Sequence, residues 1–60
     1  MNERELKVIQ LRVFRKMCFG LKAAFAYEMN LADERNDQSL VLILKHWIEQ
    51  IDNTLKNLPI

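Results

Sequence analysis

Residues 38–57 read QSLVLILKHWIEQIDNTLKN. In this stretch Leu40, Leu44, Trp47, Ile48, Ile51 and Leu55 recur at steps of three and four, and Leu58 continues the series just beyond it. That spacing places them on one face of a helix, since about 3.6 residues complete a turn. The rest of the chain must cover this face. Pro59 restricts the residue before it to extended conformations, so the helix is expected to stop at Asn57 or Leu58.

Working backwards, the pattern turns polar over Asn30 to Asp37. The turn is expected within Arg35 to Asp37. Asn36 is suited to the left-handed conformation that ends a helix, and Asp37 is the natural N-cap of the helix that follows. Upstream, Asn2 with Glu5 three residues later forms the pattern of a capping box. A long first helix is therefore expected over about 3–34, and a second over about 38–57. A turn of a few residues forces them antiparallel. At 1.5 Å per residue the two would be about 45 and 30 Å long, so the first turns of helix 1 should overhang the end of helix 2.

Gly20, the sole glycine, falls in mid-helix. The apolar phase continues across it, since Cys18 and Leu21 share a face, and no capping residue follows it. A continuous helix is expected, at a cost of about 1 kcal/mol relative to alanine. A close helix crossing or a mild kink at this position would account for it.

Helix 1 carries a seam of Leu11, Phe14, Cys18, Leu21, Phe25 and Met29, widened on one flank by Leu6, Ile9, Val13, Met17 and Ala24. The apolar arc covers about half the cylinder, more than the roughly 100° stripe of a helix with one neighbour. Such a width calls for two neighbours: helix 2 and another chain. Sixty residues bury only about 60% of their unfolded surface. Small chains compensate with disulfides, a metal or oligomerisation. Cys18 is the sole cysteine and His46 the sole histidine, which leaves oligomerisation or docking on a partner. The expected architecture is one all-α domain over residues 1–60, an antiparallel two-helix hairpin that dimerises into a four-helix bundle. Its core would be Leu11, Phe14, Cys18, Leu21, Phe25, Leu44, Trp47, Ile48, Ile51 and Leu55.

The lone thiol suggests a reducing, cytoplasmic setting. The charged start, MNERE, lacks the apolar run of a signal peptide. The longest apolar run, Leu40 to Leu44, is far short of a membrane span. Net charge is +1 but divided, with six Lys/Arg and three Asp/Glu in residues 1–30 and three Lys/Arg and five Asp/Glu in residues 31–60. Halves of opposite sign suit antiparallel packing and do not by themselves indicate nucleic acid.

Candidate functional residues lie on the outer face of helix 1. Arg4, Arg12, Arg15, Lys16 and Lys22 occupy an arc of about 120°. Phe19 sits among them, beside Val8 and Ala26. An aromatic side chain rimmed by arginine has the composition of a protein-binding hot spot. The same basic face offers RNA or DNA binding as an alternative, weakened by the absence of interleaved aromatic residues beyond Phe19. A third reading is a structural subunit that uses the wide apolar arc as its interface. No catalytic or cofactor motif is present. His46 and Glu49 are three apart on helix 2, but a metal needs further ligands that the sequence does not supply. Cys18, on the apolar seam, reads as a small hydrophobe. Gln10 and Glu28 interrupt the apolar arc, as rim positions or as buried groups fixing register.

In size and topology the outline resembles small bacterial, plasmid and phage regulators, among them a dimeric hairpin that binds plasmid RNA pairs and sporulation hairpins that bind a kinase or a response regulator. The Ser-Gln-Glu-Leu-Asp motif of the sporulation phosphatase hairpins is absent. The comparable stretch reads Lys45-His46-Trp47-Ile48-Glu49. The expected function is a small non-enzymatic regulator or adaptor that binds another protein through Arg12, Arg15, Lys16, Phe19 and Lys22.

Overall fold

A computed structural model describes residues 2–59 as two helices, α1 (Glu3–Glu34) and α2 (Gln38–Lys56), packed against each other as an antiparallel hairpin. Both N-termini are closed by the residues expected. The Asn2 side chain accepts the Glu5 amide at 2.9 Å, and the Asp37 carboxylate accepts the Leu40 amide at 3.2 Å. Each bond satisfies an amide that has no partner within its helix.

The turn closes on itself. Asn36 adopts φ 60°, in the left-handed region. The Asn36 amide donates to the Asp33 carbonyl at 3.0 Å, and the Asp37 amide to the Ala32 carbonyl at 2.9 Å. This pair of bonds is the Schellman arrangement, which caps the last carbonyls of α1. Asp37 thus ends one helix and caps the next, leaving three residues between them. The far end of α2 stops at Lys56, where the Asn57 amide reaches back to the Asn53 carbonyl.

α1 runs unbroken through Gly20. A Cβ built there would meet no atom within 4 Å, so the glycine serves no close crossing inside the hairpin.

Within the hairpin α2 covers only part of the seam expected for the core of a four-helix bundle. The half-buried or buried residues of α1 are Leu11, Arg15, Cys18, Lys22, Phe25, Met29 and Ala32, a regular alternation of four and three, with Ala26 and Leu31 beside them. Phe14 and Leu21 fall outside it and are exposed. On α2, Leu44 is buried and Ile48, Ile51 and Leu55 are half-buried, as expected, but Trp47 is 47% exposed. The helix sits on one edge of the broad apolar arc rather than at its centre. Small residues explain the choice: Cys18 and Ala32, both buried, let the axes approach.

The two borders of the contact differ in chemistry. On one border Phe25 and Trp47 meet at a centroid distance of 5.4 Å and an interplanar angle of 51°, a favourable tilted geometry. On the other, Lys22 Nζ and Asp52 Oδ1 form an ion pair at 2.6 Å. α2 ends well before α1 does. Residues 2–10 are all exposed, and the expected overhang is present.

The result is a thin rod of 51 × 16 × 11 Å. Its radius of gyration is 15.0 Å, against about 10 Å for a compact chain of this length. Only Cys18, Ala32 and Leu44 are buried among the apolar residues described, and no large side chain is wholly enclosed.

Candidate interaction surface

Two exposed surfaces remain once the hairpin has formed. The first lies along the N-terminal half of α1. Val8, Leu11, Arg12, Arg15, Lys16 and Phe19 line a shallow groove, which continues along Arg4, Glu5, Val8, Ile9 and Arg12. The i, i+3, i+4 spacing of a helix gathers these residues. Phe19 is 55% exposed, and its ring is flanked by side chains of one charge. The surface supplies apolar area with guanidinium donors at its edge, and these donors bind carboxylates in bidentate fashion.

Of the five residues assigned to this face, the structure brings Arg12, Arg15, Lys16 and Phe19 together. Lys22 does not belong to the group. It turns toward α2 and pairs with Asp52, because its position lies on the inter-helix stripe. Ala26 is half-buried and likewise leaves the expected patch, while Leu11 joins it. Sequence reasoning missed Leu11 because it was assigned wholly to the core. Its place within one turn of both Val8 and Arg15 was the available signal.

The second surface is the part of the apolar arc of α1 that α2 leaves bare. It comprises Leu6, Val13, Met17 and Leu21, with Ile9 on its border with the groove, each between 40% and 60% exposed. Ile43 and Trp47 of α2 extend it across the Phe25–Trp47 border. Comparison with protein-family models, with curated proteins and with solved structures finds no match. The surfaces must therefore be read from their own chemistry.

Among the described residues no three His, Cys, Asp or Glu side chains converge as metal ligands. His46 and Glu49 are both exposed on α2. Cys18 is a free thiol at 6% exposure, closed in by the inter-helix contact. Gln10 and Glu28 are exposed, so neither is a buried register-fixing group within the hairpin. No described helix is long and apolar enough to cross a membrane.

Proposed function

We infer that this chain is a small non-enzymatic regulator or adaptor that acts by binding another protein through the outer face of α1. The observation that carries the reading is the groove of Val8, Leu11, Arg12, Arg15, Lys16 and Phe19: an exposed aromatic ring with three cationic side chains at its rim. Aromatic and arginine residues dominate the energetics of protein interfaces. The complementary partner is an apolar helix or groove bordered by Asp or Glu. The functional unit in this reading is two hairpins joined as a four-helix bundle, working in the cytoplasm, where the Cys18 thiol stays reduced.

The test compares the wild-type chain with Phe19→Ala and Arg15→Glu. Proteins retained by the immobilised wild-type chain are identified, purified and titrated against each variant. Loss of binding by both variants, with helicity unchanged in circular dichroism, supports the reading. Equal binding by all three chains overturns it. Retention of RNA or DNA instead, with affinity falling steeply as salt rises, would transfer the basic face to nucleic acid. A chain that folds only inside a larger complex would make it a structural subunit.

A further inference from the structure

We propose that the bare apolar face of α1 is covered by the same face of a second copy, with the two α1 helices antiparallel and centred between Met17 and Gly20. The proposal rests on the reading that two hairpins associate, and specifies the face, the direction and the register.

The area calls for such a cover. The chain exposes 4969 Å². A compact monomer of 7.2 kDa exposes about 4,100 Å². The excess of roughly 850 Å² comes from the rod shape and is enough for the roughly 800 Å² that each partner contributes to a stable interface of standard size.

The charge of α1 sets the direction. Lys22 apart, which is paired with Asp52, it carries five basic and two acidic residues from Glu3 to Leu21, and three acidic and no basic ones from Ala23 to Glu34. A parallel pair would set like ends beside each other. An antiparallel pair sets the basic part of each helix beside the acidic part of the other, and opposes the helix dipoles as well.

The spacing and size of the side chains set the register. Leu6, Gln10, Val13, Met17, Gly20, Ala24, Tyr27 and Leu31 alternate at steps of four and three, a second stripe that is exposed up to Tyr27 and ends at the half-buried Leu31. Read in reverse the steps are the same, so the stripe can pack on itself about a two-fold axis. In the antiparallel alignment centred between Met17 and Gly20, large side chains oppose small ones. Met17 faces Gly20, where the space for a Cβ is open, and Val13 faces Ala24. Gln10 faces Tyr27, and Leu6 faces Leu31, so the overhang of each α1 is covered by the turn end of the other hairpin. This gives Gly20 the role that it lacks inside the hairpin.

Cysteine pairing tests the geometry, with sedimentation equilibrium as the separate test of association. Val13→Cys chains are mixed with Ala24→Cys chains under mild oxidation, with the unmodified chain as the Cys18 blank. The proposal predicts a covalent Val13→Cys/Ala24→Cys heterodimer as the main product, and blank-level product from either variant alone. Cross-linking of Val13→Cys to itself would mean parallel helices and overturn the direction. Twice the chain mass of 7.2 kDa in the ultracentrifuge without any cross-link would overturn the face while leaving association standing. A folded chain that sediments at 7.2 kDa would overturn both.

Discussion

Leu44 is the one large side chain of the hairpin that is nearly enclosed, at 4% exposure. Replacing it with alanine removes the centre of the inter-helix contact. Leu→Ala in a core costs about 2–5 kcal/mol, depending on how far the surroundings collapse into the space. A seam between two helices can close more readily than the centre of a large domain, which places the expected loss at about 2–3 kcal/mol. The total stability of a 60-residue chain is roughly 3–9 kcal/mol, so the substitution removes a large share of it. For a chain of this size the midpoint temperature should fall by roughly 10–20 °C. Leu42 provides a matched control: the same residue on the same helix, two positions away and 66% exposed. Leu42→Ala should change stability by no more than about 0.5 kcal/mol. Far-ultraviolet circular dichroism during urea and thermal unfolding, at one fixed chain concentration, measures both variants. Equal losses at the two positions, or a loss under about 1 kcal/mol at Leu44, would refute the assignment of the inter-helix face.

Three further outcomes follow from local geometry. Gly20→Ala should raise the melting temperature of the dilute chain, gaining about 0.5–1 kcal/mol, because the position is helical and a Cβ meets nothing. Asn36→Ala should lose about 1 kcal/mol in urea unfolding while Asn36→Gly loses none, because φ 60° strains a residue with an ordinary side chain. A double-mutant cycle on Lys22 and Asp52 should give a coupling below about 1 kcal/mol that shrinks with added salt, since both side chains are about 40% exposed despite the 2.6 Å contact.

The helix limits, the caps at Asn2 and Asp37 and the left-handed Asn36 were legible in the sequence because each depends on a few neighbouring residues. The overhang of α1 was legible too, since it follows from two lengths and a short turn. The inter-helix stripe was not. An apolar arc spanning half of α1 tells how much surface needs covering, but not which part a single partner takes. That choice depends on the close approach permitted by Cys18 and Ala32 and on the pairing of Lys22 with Asp52, none of which a hydrophobic pattern weighs. Phe14, Leu21 and Trp47, expected with Cys18 and Leu44 in the core of a four-helix bundle, are substantially exposed in the single hairpin. Shifting the stripe also moved Lys22 from the outer groove to its pairing with Asp52, and left four of the five expected groove residues together.

On this proposal the two exposed faces of α1 have different roles: one is covered by a second copy, and the other is open to a partner. Met17 and Phe19 stand on these two faces at similar exposure, 60% and 55%. Sedimentation equilibrium of Met17→Lys and Phe19→Lys beside the unmodified chain tests the claim most directly. Twice the 7.2 kDa chain mass is expected for the unmodified chain and for Phe19→Lys, and dissociation for Met17→Lys. Dissociation of both variants, or of neither, would contradict it.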